Sequence, residues 1–186
     1  KQRIWKNSEA SSGDLIILTK ALGTGILASG IKKELVSKKN IEIAIASMST
    51  LNKNAADILK QFNPSAVTDI SGFGLLGHLK EVCENSNVTA EIEFSKLKFL
   101  PGVHSLANSG VIPGGTRRNY DYVKRFCAFN STLSQLDHLL ASDAQTSGGL
   151  LIALNETEAK EFMHSYEDSA LIGIIKPKSE KLINII

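Results

Sequence analysis

Residues 66–79 read Ala-Val-Thr-Asp-Ile-Ser-Gly-Phe-Gly-Leu-Leu-Gly-His-Leu. A β-branched run ends at Asp69-Ile70, glycines follow at 72, 74 and 77, and apolar residues then recur at helical spacing through Val82 and Cys83. The pattern predicts a strand over 66–70, a tight turn, and a helix over about 73–85. Such a unit buries its apolar faces only in a layered domain that mixes sheet and helix. The spelling is also G-x-G-x-x-G, the form of a dinucleotide phosphate turn. Asp69 stands in the way. A carboxylate a few ångströms from a phosphate costs on the order of several kcal/mol at low effective dielectric. The conflict is lifted if a Mg²⁺ ion arrives with the phosphate, because Mg²⁺ takes one or two carboxylates, waters and phosphate oxygens. The helix N-terminus after Gly72 adds partial positive charge and free N–H groups. A plain alternative stands beside this: Asp69 caps the turn, and Gly72, Gly74 and Gly77 only allow close packing.

The remaining pattern alternates strand and helix signals. Asp14–Thr19 reads as a buried strand, and Gly23-Thr24-Gly25 opens a helix to about Leu35. Residues 41–46 are β-branched but run on without a break, so strand or helix stays open. Ser49 or Thr50 is expected to cap a helix over 51–62, with Leu51, Ala55, Ile58, Leu59 and Phe62 on one face and Asn63-Pro64 ending it. Val88–Phe94 alternates as a half-buried strand, and Pro101 starts a short helix to Asn108. Residues 113–130, with Pro113, Gly114 and Gly115, read as the longest irregular stretch. Leu139-Leu140-Ala141 and Leu150–Leu154 read as strands flanking the loop 142–149. Asn155 caps a helix to about Asp168 with Glu158 in the capping-box position. Strands follow over 170–175 and 182–186. Two apolar runs joined by a loop leave no room for a helical crossover. A mixed or antiparallel α+β sheet is therefore expected rather than a doubly wound parallel one.

A second glycine group, Gly23-Thr24-Gly25-Ile26-Leu27-Ala28, fits G-x-G-x-x-A with Glu42 downstream. Lys20-Ala21-Leu22 separates strand from glycine, so close packing of a helix start competes with a dinucleotide site. The loop Ser142-Asp143-Ala144-Gln145-Thr146-Ser147-Gly148-Gly149 is either a turn held by side-chain hydrogen bonds or a ligand-facing loop. Arg117 and Arg118 suit phosphates, a partner domain or solvent. His78 reads as a structural histidine. Cys83, in phase with Leu75, Leu76, Leu79 and Val82, reads as core, as does Cys127 between aromatic neighbours.

Composition sets limits. A net charge of +2 over 186 residues argues neither for nucleic acid nor for a membrane surface. Basic clusters at Lys1, Arg3 and Lys6, and at Lys32-Lys33 with Lys38-Lys39, read as solvated faces. Two cysteines outside any C-x-x-C pair predict reduced thiols and a cytoplasmic setting. No apolar run approaches the ~18 residues of a membrane span. Residues 1–12 lack the apolar core of a signal peptide. Lys1 in place of Met gives the expectation of a fragment or processed product.

Five segments together resemble one family: Gly13–Lys20 with Leu22–Gly25, Leu51–Ala56, Thr68–Leu79, Pro113–Thr116 with Asn119, and Gln145–Leu151. In order and spacing they resemble the C-terminal half of selenide, water dikinase, also called selenophosphate synthetase, over about Gly13–Gly173. The resemblance implies an enzyme of the superfamily shared with aminoimidazole ribonucleotide synthetase. Such an enzyme makes selenophosphate from selenide and ATP, releasing AMP and phosphate, for selenocysteine and selenouridine synthesis. It implies Asp69 as a Mg²⁺ ligand and places Gly72, Gly74, Gly77, Thr146 and Ser147 at the nucleotide. It also implies that the reactive Cys or selenocysteine, a partner Lys, most metal-binding aspartates and the dimer contact lie in an N-terminal half outside this chain. No catalytic residue is then expected here, and the chain alone is expected to be inactive. Residues 1–13 are expected to be a linker from that half, and 14–186 the C-terminal domain. Ala144 stands where the family commonly has Pro. Three alternatives are weighed beside this reading: another synthetase of the same superfamily, a non-catalytic binding or regulatory paralogue, and a nicotinamide-dependent dehydrogenase.

Overall fold

The computed structural model describes residues 4–186, so Lys1 and Arg3 of the N-terminal basic cluster lie outside it. Among the described residues, seven strands form one mixed sheet. They are β1 (Leu15–Leu18), β2 (Ala66–Asp69), β3 (Val88–Ile92), β4 (Cys127–Phe129), β5 (Leu150–Leu154), β6 (Ala170–Pro177) and β7 (Ile183–Ile185). The order across the sheet is β2-β5-β1-β6-β3-β7-β4. The pairings β2–β5, β5–β1, β1–β6 and β6–β3 are antiparallel, and β3–β7 and β7–β4 are parallel. The expected α+β mixed sheet is what forms.

Both faces of the central strands are covered, which explains their unbroken apolar runs. Ile16 and Leu18 of β1, with Leu151 and Ala153 of β5, pack on α4 (Gly74–Ser86) through Leu75, Leu76, Leu79 and Cys83. Ile17, Leu150, Ile152 and Leu154 face the other way, onto α3 (Lys53–Leu59) and α8 (Glu156–Ser165) through Ala55, Leu59 and Phe162. Each fully buried leucine, isoleucine or phenylalanine contributes roughly 1.5–3 kcal/mol of transfer free energy. A third cluster joins α1 (Thr24–Lys32), α2 (Lys38–Ser49), α5 (Val103–Asn108) and α7 (Gln135–Ala141) through Ile26, Leu27, Ala44, Val103, Leu106 and Leu140. Among the described residues, no helix is long and apolar enough to cross a membrane.

The alternative left open at 41–46 resolves to helix, and several other local expectations are corrected. Residues 41–46 lie inside α2, whose N-cap Ser37 accepts the Asn40 amide at 3.3 Å. Ser49 ends α2, and Thr50 is its C-cap, donating its hydroxyl to the Ala46 carbonyl. Neither caps α3, which begins only at Lys53 and leaves Leu51 70% exposed. Residues 113–130 are not irregular: α6 spans Gly114–Val123 and runs through a one-turn 3₁₀ helix, Lys124–Phe126, into β4. Leu139-Leu140-Ala141 is helix, not strand. A capping box between Ser134 and Asp137 starts α7, and the three apolar residues are its buried last turn. The antiparallel sheet therefore arises from β5 pairing with β1 and β2.

Candidate functional site

The sheet order brings three loops to one end. In the antiparallel β2–β5 pair, Asp69 lies opposite Leu150, so the turn after β2 meets the loop before β5. The two loops zip together: the Ile70 amide donates to the Gly149 carbonyl, the Gly148 amide to Ile70, and the Gln145 amide to Ser71. Strand β1 pairs with the other edge of β5, Leu18 opposite Leu151, so its C-terminal loop arrives at the same end. There Thr19 Oγ1 accepts the Leu150 amide at 2.7 Å.

Loop 142–149 is the hub. Gln145 Oε1 accepts from the Gly23 amide (3.0 Å), the Thr24 amide (3.2 Å) and the Thr24 hydroxyl (3.1 Å). Thr24 Oγ1 in turn accepts the Thr146 amide at 2.8 Å. Asp143, 1% exposed, takes the Ile26 amide and the Gln145 side-chain amide on Oδ2. The Thr116 hydroxyl donates to its Oδ1 at 2.6 Å. Burial pushes the Asp143 carboxyl up to about 6, against the downward pull of those donors and the Gly25 amide. Asn119 of α6 donates to the Gly72 and Ser142 carbonyls, and Asn52 to Gly148. An added Cβ on Gly25 would sit 2.4 Å from the Ala144 carbonyl oxygen.

These contacts decide the use of the first glycine group. The amides at the start of α1 are taken by Asp143 and Gln145, so the positive end of that helix already faces a carboxylate from its own chain. Gly23–Ala28 is a packing junction.

The turn after β2 is built differently. His78, buried on α4, accepts the Ser71 amide at Nε2 (3.1 Å), which places its proton on Nδ1. Burial lowers its pKa, against the raising effects of Glu81 and Asp69, so it stays neutral as a turn-holding residue. Gly74, at φ +69, backs onto the Asp143 carbonyl, and Gly77 lies against Phe73 of the preceding turn. Gly72 has open space around it. The N-cap of α4 is Phe73, with no side-chain cap bond. Asp69, Gly72, Phe73, Thr146 and Ser147 are exposed at this end of the sheet. Among the described residues, Asp69 belongs to no group of three or more candidate metal ligands.

Comparison with known proteins decides the family. Residues 11–183 match the family model described as AIR synthase related protein, C-terminal domain. The chain belongs to this family. Its relatives include a selenide, water dikinase of Campylobacter jejuni, 43% identical over 87% of this chain and 46% of that protein. Another, from Aliarcobacter butzleri, is 38% identical over 98% of this chain and 54% of the relative. The chain spans about half the length of the curated relatives it matches. Among solved structures, E. coli HypE superposes with a TM-score of 0.69 at 18% identity, covering 97% of this chain and 48% of that one. A hydrogenase maturation protein HypE in complex with ATP has a TM-score of 0.62 at 14% identity, over 97% of this chain and 49% of that one. These structures share the AIR synthase-like fold.

Five short segments carried the resemblance, and in the folded domain they converge on loop 142–149. Gln145, Asn52, Thr116 and Asn119 stand inside those segments, and Asp143 lies two residues before the last of them. Their roles were not legible locally, because the partners of these side chains lie in other segments.

Proposed function

We infer that this chain is the C-terminal domain of a selenide, water dikinase, which makes selenophosphate from selenide and ATP and releases AMP and phosphate. The observation that carries the reading is 43% identity to a selenide, water dikinase over 87% of the chain, combined with an exposed Asp69 beside the exposed Gly72, Thr146 and Ser147. Asp69 is the residue that would hold Mg²⁺. A lone exposed carboxylate at a strand end fits an ion that takes one or two carboxylates and fills its shell with water and phosphate oxygens. Bound there, the ion supplies charge neutralisation at the nucleotide phosphates.

This chain's own residues do the positioning. The Gly72 turn gives the phosphates a close approach to backbone, and the hydroxyls of Thr146 and Ser147 supply donors beside it. The packed hub beneath holds that edge in one geometry, so little reorganisation is needed when charge develops. The nucleophile, its partner lysine, further carboxylates and the contact of a homodimer belong to the other half of the polypeptide. The setting is cytoplasmic, in keeping with two reduced, buried cysteines.

The test uses the full-length protein with ATP, Mg²⁺ and selenide, following AMP and selenophosphate by ³¹P NMR. Selenide-dependent AMP and selenophosphate are expected from the full-length protein and neither from this chain alone. ATP turnover indifferent to selenide, or coupled to another acceptor, would assign the chain to a different synthetase of the superfamily.

A further inference from the structure

Lys20 follows β1 and belongs to none of the residues so far placed at the nucleotide. Its ammonium has three N–H donors, and the structure gives it three carbonyl acceptors: Ser47 at 3.3 Å, Thr50 at 2.6 Å and Ser147 at 2.8 Å. The first two are at the C-terminal end of α2, where carbonyls lack intrahelical partners and carry the negative end of the helix dipole. The third belongs to the hub loop. Lys20 therefore caps one helix and ties it to a residue 127 positions away.

Ser147 is one of three non-glycine residues at positive φ among those described, with φ 52. A non-glycine residue there needs its surroundings to hold it. The neighbouring peptide is fixed as well. Asn52 Nδ2 donates to the Gly148 carbonyl at 2.9 Å, and an added Cβ on Gly149 would sit 2.5 Å from the Lys20 amide nitrogen. Two successive carbonyls, 147 and 148, are thus gripped by side chains from inside the domain, while Thr146 and Ser147 remain exposed. Burial lowers the Lys20 pKa, but three carbonyls still leave an ammonium as the species this geometry suits.

We propose that Lys20 is a positioning residue for the nucleotide edge: by binding the Ser147 carbonyl together with the end of α2, it locks the Thr146–Ser147 turn in its ligand-receiving shape. This rests on the nucleotide reading given above. Lys20 touches no phosphate in this account. It acts through the loop.

The test compares wild type, Lys20→Ala and Lys20→Met in the full-length protein, measuring KM for ATP, kcat, Tm and amide exchange at 146–149. Folded variants are expected whose KM for ATP rises at least ~10-fold, with a smaller change in kcat, because a misplaced contact weakens binding and orientation. Exchange at Gly148 should rise selectively. n-Propylammonium, which restores the lost stem and N–H donors to Lys20→Ala, should recover KM. Tetramethylammonium at equal ionic strength, having no N–H, should not. Folded variants with a KM within twofold of wild type overturn the proposal. Failure of both variants to fold does so too, since it assigns Lys20 to stability alone. A wild type that takes no ATP overturns the nucleotide reading and this inference with it, and it is seen before any variant is compared.

Discussion

Gln145 caps helix α1 through Thr24 across 121 positions of sequence: its Oε1 accepts both the amide and the hydroxyl of Thr24, and the Gly23 amide as well. Gln145→Ala leaves these buried donors without an acceptor. A loss of about 2–3 kcal/mol is expected in urea unfolding, the size of a lost cap plus unsatisfied donors. Gln145→Glu is expected to be no better. Its carboxylate would lie beside Asp143 Oδ2, which the Gln145 amide nitrogen now approaches at 3.2 Å.

Asp143 makes stability depend on pH with an unusual sign for a carboxylate. Its folded pKa is raised to about 6 by burial, above the ordinary 3.8. The native state therefore holds this proton at pH values where the unfolded chain has released it. The stabilising contribution is fully present below pH 3.8 and is lost as pH rises through 6. Relative to Asp143→Asn, wild type should gain about 2 kcal/mol between pH 7 and pH 4.5. Denaturant titrations of both proteins at those two pH values check it.

Glycines at this end of the sheet should divide by what surrounds them. Gly25→Ala places a methyl 2.4 Å from the Ala144 carbonyl oxygen and 2.8 Å from Asp143 Oδ1. About 3 kcal/mol of destabilisation is expected. Gly72→Ala meets nothing within 4 Å, and its stability should stay within ~0.5 kcal/mol of wild type. Thermal melts of the two variants separate them.

The contrast shows what the sequence could convey. The strand–turn–helix unit at 66–86 was legible because both periods are local and glycine punctuates them. β1 and β5 were legible as apolar runs, since both faces are covered. Three apolar residues at 139–141 carry no period, and only the Ser134–Asp137 capping box marked them as helix. Helix α6 was hidden because it opens with Pro113, Gly114 and Gly115 and buries only Thr116 and Val123. The role of Asp143 was not legible, because its Ile26 partner is 117 residues away. What a glycine group binds depends on whether its helix start is already occupied, and that is settled by topology.

Cys83 and Cys127 should be chemically quiet. Burial pushes both thiols up to about 12, leaving little thiolate at neutral pH. The double Ala variant of the full-length protein should keep its activity while losing ~1–3 kcal/mol of stability. Activity lost more than about a hundredfold in a folded variant would make one of them chemical.

The most direct test of the account is a Mg²⁺ titration of selenide-dependent AMP release by the full-length protein, wild type against Asp69→Asn, with melting temperatures alongside. The amide keeps the shape of the side chain and removes one negative charge from the proposed metal position. The account predicts an unchanged Tm and a loss of roughly 10²–10³ in rate at low Mg²⁺, partly recovered as Mg²⁺ is raised. Equal activity at every Mg²⁺ concentration, with any defect confined to Tm, would contradict it and leave Asp69 a residue of the turn.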